Sequence, residues 1–397
     1  MAELVSFFIV MAAGLFLAEF FRSFHMPYVV VLIVTGILIG PFGLNLFIPD
    51  DTMEFIGQIG LVFLMFMAGL EARLSVMAEL RRSVAVLSVL NSIIPFLAGV
   101  GIALYFGYNW TSALFLGTIF ISSSIAVIIP SLEANGLLVT KLGKTILGAT
   151  IAEDVLSLLV FSVLLQTISP THNVPLPLFY LILFIFLISL RVFIQKLRNY
   201  YQSRLSRRMK KELFENEVRF IFVIMLATVI LFELLGLHAI IAGFFAGMTL
   251  SESIKKEALK RKLHAISYGL FIPVFFVLIG AKTDIGILFD GSSVALLTGV
   301  IVVGSVLAKF VSGFIAGKMR GFTNNECSII GSSTTPQLST TLAVAFIGLE
   351  MNILDHELII AMTVLSISTT MVGPYMIGMF IDKYKRRQRM LNRKRKA

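Results

Sequence analysis

The sequence predicts an all-α integral membrane protein that crosses the bilayer thirteen times, and three observations support this fold class. Hydrophobic residues make up 57% of the 397-residue chain and charged residues only 14%, whereas soluble domains carry about 25% charged residues. The apolar residues form runs that approach the roughly 20 residues needed by a spanning helix. The basic residues lie in alternate connections between these runs. We therefore expect a multi-pass protein of the cell membrane with lipid as its solvent.

The apolar runs define the predicted spans in chain order. They cover residues 4–21, 28–48, 55–70, 84–105, 112–130, 145–166, 176–195, 218–236, 238–251, 266–282, 293–317, 325–347 and 357–381. The first run lacks a small-residue cleavage site followed by polar mature sequence, so we interpret it as a span and not as a signal peptide.

The basic residues predict which side of the membrane each connection faces. With thirteen spans, all but four of the 33 Lys and Arg residues lie in loops or ends on one side, and the loops on the other side contain none. Because cytoplasmic loops carry the excess of Lys and Arg, we predict an outside N-terminus and a cytoplasmic C-terminus. Residues 1–385 then form the membrane domain, and residues 386–397 form a basic cytoplasmic tail facing anionic lipid. The net charge of +10 thus indicates a membrane partner and no nucleic acid.

Three ionisable residues lie deep in predicted spans: Glu153, Asp154 and Lys309. A charge at the centre of a spanning helix costs about 2.5–3.5 kcal/mol or more, so each needs a role. A buried ion pair that only joins two helices would be enough for Glu153 and Lys309. It does not explain Asp154, because one Lys cannot neutralise two carboxylates. A carboxylate in a low-dielectric environment favours binding a proton or a cation, which is what a proton-coupled carrier requires.

The depth of these residues predicts a common site. Glu153 and Lys309 each lie eight residues from the cytoplasmic end of their spans, which is about 12 Å along a helix. Adjacent side chains on a helix point about 100° apart. Glu153 can therefore face Lys309 while Asp154 faces a separate ion cavity.

Two further spans carry a hydroxyl cluster and a proline, which predicts interrupted helices. The fifth span contains Ser122, Ser123, Ser124 and Pro130; the twelfth contains Ser333, Thr334, Thr335 and Pro336. Proline removes a helical hydrogen bond, and the freed backbone groups can line an ion site. A simple kink, with hydroxyls bonded to their own helix, is the alternative for either span alone. The fifth and twelfth spans are separated by an odd number of crossings, seven, so they run through the membrane in opposite directions. This is expected for the binding site of an inverted-repeat transporter.

Other function classes fit less well. The single Cys327 excludes an intramolecular disulfide and a cysteine metal cluster, and no nucleotide-binding glycine loop follows a strand, so we predict no cofactor and no enzyme activity. An intramembrane aspartyl protease would need Asp residues on two spans, whereas Asp154 is the only Asp within the predicted spans. An ion channel could use the hydroxyl clusters, but it would not need Lys309 in the permeation path.

Four stretches of the chain resemble the signatures of the monovalent cation:proton antiporters. They are "VTGILIGPFGLNLF", "GLVFLMFMAGLEA", "GLHAIIAGFFAGMTLS" and "IPVFFVLIGAKTDIG". Together with the adjacent acidic residues and the late Lys, they are similar to the branch that holds NapA-type sodium/proton antiporters and the membrane part of Kef-type potassium/proton systems. The resemblance covers residues 1–385.

The resemblance implies a homodimer in which each chain has a core domain with two crossed, discontinuous helices and a dimerisation domain. It also implies that Asp154 binds the metal cation, here Na⁺, that Ser123 and Ser124 line the ion site, and that Lys309 pairs with Glu153 in proton coupling. Relatives have Asp, Asn or Gln at the position of Glu153, so the ion stoichiometry stays open. No Kef-type nucleotide-binding domain follows the last span, so ligand gating of that kind is not expected.

The sequence thus predicts a secondary transporter that exchanges sodium or lithium for protons and serves pH homeostasis. The two acids and the Lys favour sodium. A potassium/proton antiporter is the alternative.

Overall fold

The computed structural model describes residues 2–22, 26–72, 80–170, 175–204, 216–251, 254, 257–290 and 292–396. All regular secondary structure in these residues is helical, and they contain no β-strand. The predicted all-α class is therefore confirmed for the described part of the chain.

The helices are numbered here in chain order. They are α1 (Ala2–Arg22), α2 (Tyr28–Ile39), α3 (Asp51–Glu71), α4 (Arg81–Tyr105), α5 (Trp110–Ile121), α6 (Ile125–Glu133), α7 (Lys141–Ile168), α8 (Leu176–Arg204), α9 (Asn216–Leu234), α10 (Ala239–Ser251), α11 (Glu257–Ile266), α12 (Ile272–Ala281), α13 (Ile287–Asp290), α14 (Ser292–Met319), α15 (Asn324–Ser333), α16 (Ser339–Glu350) and α17 (His356–Lys396), with a π-helical turn at Ser267–Phe271.

Eight helical stretches in the described residues are long and apolar enough to cross a membrane. Four further apolar helices have only 10–17 residues: Tyr28–Ile39, Leu176–Phe186, Ala239–Ser251 and Ser339–Glu350. A helix of 12 residues is about 18 Å long, short of the roughly 30 Å of hydrocarbon. The protein is thus a multi-pass membrane protein, and the number of thirteen crossings stays a prediction.

The second predicted span, 28–48, is wrong at its C-terminal end. Helix α2 ends at Ile39, and a turn and non-helical chain follow up to residue 50. Pro41 explains this end, because the residue before a proline is disfavoured in the α conformation. Asn45 has a left-handed backbone conformation, with a φ of 54°. The apolar residues 46–48 follow it in non-helical chain.

The chain divides into two compact units. One comprises residues 55–73 and 162–275. In this unit the rings of Phe63 and Phe271 stack with centroids 4.9 Å apart. The π-helical turn is bounded by the N–H of Ile272, which donates to the carbonyl of Ser267. This bond spans five residues, as in a π-helix, and the next residue, Pro273, has no N–H to donate to the carbonyl of Gly269.

The other unit comprises residues 1–54, 74–161 and 276–397, and it contains every predicted site residue. Two glycine pairs bring its helices close together. A Cβ on Gly99 of α4 would lie 2.9 Å from the Cα of Gly117 in α5, and a Cβ on Gly313 of α14 would lie 2.9 Å from the Cα of Gly331 in α15. Side chains at these positions would separate the backbones, so the glycines allow α4 and α14 to pack against the interrupted helices.

Helix α17 continues without interruption to Lys396, so the predicted boundary between residues 385 and 386 lies inside a helix. Its Lys385 donates a hydrogen bond of 3.0 Å to the side chain of Asn135. Part of the basic loops that predict the orientation lies outside the described residues, at 73–79, 205–215, 252–253 and 255–256. The orientation of the chain stays a prediction.

Candidate functional site

Two non-helical segments interrupt the predicted fifth and twelfth spans. Helix α5 ends at Ile121 and α6 begins at Ile125, while α15 ends at Ser333 and α16 begins at Ser339. Capping residues define where α5 and α15 begin: Asn109 caps α5 by accepting a bond from the Ser112 N–H, and Thr323 and Glu326 form a capping box at the start of α15. Such caps satisfy backbone groups that a helix end leaves free.

The two interruptions contact each other directly. The N–H of Ser124 donates to the carbonyl of Pro336 at 2.7 Å, and the amide Nε2 of Gln337 donates to the carbonyl of Phe120 at 3.2 Å. The Ser112 hydroxyl at the start of α5 donates to the carbonyl of Ile353, just beyond the end of α16, at 2.6 Å. Helices α5 and α16 therefore run antiparallel, and the free backbone groups at one interruption are satisfied by the other.

Pro130 does not belong to the interruption, so its prediction as a residue lining an unwound segment is wrong. It lies inside α6, and its side chain is exposed. A proline at this position removes only the donor to the carbonyl of Ala126, and α6 continues to Glu133. The chain leaves the helical conformation at Ser122–Ser124.

Glu153 and Lys309 form an ion pair at the interruption. Their Oε2 and Nζ atoms are 3.0 Å apart, and both side chains are fully buried. The Ser123 hydroxyl lies 2.6 Å from Glu153 Oε2 and 2.8 Å from the Thr334 carbonyl, and it can donate its single hydrogen to either oxygen. The carboxylate is thus tied to both interrupted helices through one hydroxyl.

Lys309 also binds backbone carbonyls. Its ammonium has four acceptors: the carbonyls of Ile121 and Asn91, the Ser123 hydroxyl and the Glu153 carboxylate. The Ile121 carbonyl is free because α5 ends there, and the C-terminal end of a helix carries a partial negative charge. Backbone and side-chain oxygens therefore surround the buried nitrogen of Lys309.

Asp154 lies apart from this ion pair. Its side chain is 3% exposed, and the hydroxyl of Thr340 donates to its Oδ1 at 3.3 Å. The Ser122 side chain also hydrogen-bonds to it. Thr340 is in the first turn of α16, and the N-terminal end of a helix favours a negative charge.

The other predicted hydroxyls divide into two groups. The hydroxyls of Ser124 and Ser333 are buried and have no hydrogen-bond partner among the described residues. Thr334 and Thr335 donate to carbonyls of their own helix, those of Gly331 at 3.1 Å and Ser332 at 2.9 Å. The alternative of a simple kink, in which hydroxyls bond to their own helix, therefore holds for Thr334 and Thr335 at the end of α15. It does not hold for Ser123, whose hydroxyl contacts other segments.

Sequence reasoning missed three residues of the site: Asn91, Gln337 and Thr340. Asn91 Nδ2 donates to Glu153 Oε1 at 2.9 Å, and Gln337 Oε1 accepts a bond of 3.2 Å from Ser305. Asn91 and Gln337 are amides inside apolar runs, which is a detectable signal because a buried amide needs partners. Thr340 is one of many Thr residues in the spans, and only the fold distinguishes it.

The site has two acidic side chains, Glu153 and Asp154, and one basic side chain, Lys309. Glu153 shares its charge with Lys309, and no other cationic side chain in the described residues forms an ion pair with either carboxylate. The described residues also contain no group of three or more His, Cys, Asp or Glu that could hold a metal ion. A buried carboxylate of this kind, with hydroxyl oxygens beside it, can bind either a proton or a small monovalent cation.

Comparison with known proteins shows a single family along nearly the whole chain. The profile described as "Sodium/hydrogen exchanger, transmembrane" matches residues 6–383. The chain is 31% identical over 378 residues to a probable Na(+)/H(+) antiporter 3 of Methanocaldococcus jannaschii, covering 94% of this chain and 95% of the relative. It is 28% identical to the Na(+)/H(+)-K(+) antiporter GerN of Bacillus cereus, covering 88% of this chain and 89% of that protein.

The fold is similar to that of a solved structure. The sodium proton antiporter MjNhaP1 from Methanocaldococcus jannaschii superposes with a TM-score of 0.72, at 18% sequence identity, over 96% of this chain and 99% of that protein. At this identity the likeness concerns the fold.

Proposed function

Because the chain belongs to the sodium/hydrogen exchanger family, we propose that it exchanges sodium for protons by competition of the two ions at Asp154. The protein is a transporter and not an enzyme. One observation carries the site assignment: Asp154 is a buried carboxylate outside the Glu153–Lys309 ion pair. Moving this unneutralised charge through lipid is unfavourable, so a bound cation or proton must accompany it.

The transport cycle follows from this competition. A sodium ion or a proton neutralises Asp154, and the neutral site then changes its access from one side of the membrane to the other. The empty, charged site does not cross, so each inward ion is matched by an outward one. Ser122, Ser123, Ser124 and Thr340 supply oxygen atoms around the ion, in keeping with the preference of hard cations for oxygen ligands.

Potassium is the second candidate for the transported cation. It is favoured by the similarity to GerN, whose name includes both sodium and potassium. Two carboxylates with a Lys beside them favour sodium or lithium, and we retain potassium as the alternative.

We expect sodium and lithium salts to drive proton movement in proteoliposomes that contain the purified protein. A pH-sensitive dye records the response as each chloride salt is added in turn, with choline chloride as the control for osmotic and chloride effects. A response to sodium that equals the choline control would contradict the proposed function. A response to potassium alone would replace sodium by potassium.

The architecture proposed for this function keeps the thirteen predicted spans, arranged as two inverted repeats with the N-terminus outside. The equal spacing of the two glycine pairs supports the repeats, since Gly99 and Gly117 are 18 residues apart, as are Gly313 and Gly331. The asymmetry of the basic loops supports the orientation.

We also expect the protein to be a homodimer, formed through the dimerisation domain with the first span involved. Nearly all residues of helix α1 are exposed or half-buried, and only 11% of its apolar stretch is buried. Native mass measurement from lipid nanodiscs tests the assembly. A uniform population at the mass of one chain would contradict it.

A further inference from the structure

Gln337 lies in the interruption between α15 and α16, and its side chain is fully buried. Its backbone N–H donates to the hydroxyl of Thr369 in α17 at 3.1 Å. Its Oε1 accepts a hydrogen bond of 3.2 Å from Ser305 in α14, and its Nε2 donates to the carbonyl of Phe120 in α5 at 3.2 Å. A residue outside the helices is thus held in place by hydrogen bonds to three of them.

The bond between Gln337 and Phe120 is one half of a reciprocal exchange between the two interruptions. In a continuous helix the Phe120 carbonyl would accept from the N–H of Ser124, four residues later. Here that N–H donates to the carbonyl of Pro336 at 2.7 Å, and the amide of the next residue, Gln337, donates to the Phe120 carbonyl instead. Because a carbonyl can only accept, the amide nitrogen must face Phe120, and the amide oxygen faces Ser305.

This bond joins the two backbone segments that carry the hydroxyls beside Asp154. Phe120 is two residues before Ser122, and Gln337 is three residues before Thr340. The side chains of Ser122 and Thr340 both hydrogen-bond to Asp154. The hydrogen bonds of the Gln337 side chain go to Phe120 and Ser305 and not to Asp154. Gln337 therefore acts on the carboxylate only through the positions of the two hydroxyls.

We infer that Gln337 is a positioning residue that sets the selectivity among monovalent cations by holding the Ser122 and Thr340 hydroxyls at a fixed separation. The inference rests on the proposed function, because it concerns the cation that Asp154 would bind. Lithium, sodium and potassium carry the same charge and differ in radius. A site built from oxygen atoms distinguishes such ions by the size and the rigidity of its cavity. Two hydroxyls on braced backbone favour an ion of one size, whereas loosely held hydroxyls adapt to a larger ion.

Gln337→Met removes the amide and keeps a side chain of similar length. The Phe120 carbonyl loses its donor, and of the reciprocal exchange only the bond between Ser124 and Pro336 remains. We expect the half-saturating sodium concentration to rise about tenfold and the preference of the site to move towards the larger cation. Ser305→Ala keeps the amide but removes the hydroxyl that holds its oxygen, so its shift should have the same direction and be smaller, about threefold.

Gln166→Met is the matched control. Gln166 is also a buried glutamine, and its Nε2 also donates to a backbone carbonyl at a turn, that of Gly236, at 2.6 Å. It lies on α7 twelve residues after Asp154 and outside both interruptions. The same substitution at this position removes a buried amide without affecting the two segments that carry the hydroxyls.

The experiment measures thermal unfolding of the detergent-purified proteins at alkaline pH during titration with lithium, sodium or potassium chloride. Choline chloride keeps the ionic strength constant. A cation that binds only the folded state raises the unfolding temperature, so each titration gives a half-saturating concentration. The ratios of these concentrations, lithium to sodium and sodium to potassium, report selectivity. Exchange rates in proteoliposomes provide the second readout, and the maximal rate of Gln337→Met should stay within about threefold of wild type.

Ratios that move towards the larger cation in Gln337→Met, and less strongly in Ser305→Ala, with those of Gln166→Met unchanged, support the inference. Where potassium does not bind, the lithium-to-sodium ratio decides. Wild-type ratios in Gln337→Met, or an equal shift in Gln166→Met, would overturn the inference while wild-type exchange is intact. If Gln337→Met does not yield folded protein, Ser305→Ala decides by the same criterion. A wild type that no cation stabilises and that does not exchange would overturn the proposed function itself.

Discussion

Asp154→Asn is expected to abolish sodium/proton exchange while leaving the protein folded. Asparagine has the shape of aspartate, and its Oδ1 can still accept the hydrogen bond from Thr340. It cannot take up a proton or balance the charge of a cation, and the described residues offer no second unpaired carboxylate at the interruption. A buried acid is thus replaced by a neutral group at the position where we propose that the two transported ions compete.

The assay is sodium-driven proton movement in proteoliposomes at matched protein density. Asp284→Asn is the matched control, because Asp284 lies after α12 and bonds only locally, to the N–H of Gly286 at 2.9 Å. Size-exclusion profiles of both variants verify folding. A residual rate above about a tenth of wild type, a loss of less than one factor of ten, would place the ion site elsewhere.

A binding measurement separates loss of the site from loss of movement. A ligand that binds only the folded state raises the unfolding temperature. At alkaline pH, sodium is therefore expected to stabilise the wild type and the Asp284→Asn control but not Asp154→Asn. Sodium-dependent stabilisation of Asp154→Asn would show that the cation binds without this carboxylate.

The charged residues of the site could be predicted from sequence because the bilayer makes them exceptional. Glu153, Asp154 and Lys309 stand out in apolar spans, and equal depth in their helices predicted that Glu153 and Lys309 meet. Adjacent side chains on a helix point about 100° apart. This geometry also predicted that Asp154 faces a different direction from Glu153, away from Lys309. These inferences need only helix geometry and the high energy of a charge in lipid.

The backbone ligands of Lys309 could not be predicted in the same way. Carbonyl acceptors exist at every residue, and which ones are free depends on where each helix breaks. The fifth span breaks at Ser122–Ser124, whereas α6 continues through Pro130 to Glu133, because a proline removes only one hydrogen bond of the helix.

Glu153→Gln alone is expected to destabilise the protein strongly. It removes the counter-charge of a fully buried ammonium, and breaking one side of a buried ion pair costs about 3–5 kcal/mol. The carbonyls of Ile121 and Asn91 remain as acceptors for Lys309, so part of this cost is offset and the lower end of the range is expected. Denaturant or thermal unfolding in detergent measures the loss. A variant as stable as wild type would mean that Lys309 is neutral in the resting state.

Glu153→Gln combined with Lys309→Gln removes both charges, so the double variant should recover stability and retain exchange. What it should lose is the dependence of exchange on the membrane potential. If the ion pair opens when Asp154 binds sodium, Lys309 releases a proton in addition to the one displaced from Asp154. Two protons then cross for each sodium, and transport moves net charge. Without the pair only Asp154 carries a proton, and the exchange becomes electroneutral.

The potential is imposed with potassium and valinomycin, once potassium has been shown not to drive exchange, and the initial rate of sodium/proton exchange is recorded at several values. Wild-type rates should change with the potential, since each net charge contributes about 2.3 kcal/mol per 100 mV, and those of the double variant should not. If wild-type rates do not change with the membrane potential, the Glu153–Lys309 pair is only a structural link between α7 and α14. The proton would then be carried by Asp154 alone, and the fully buried pair beside it would serve only to keep the two helices in register around the ion site.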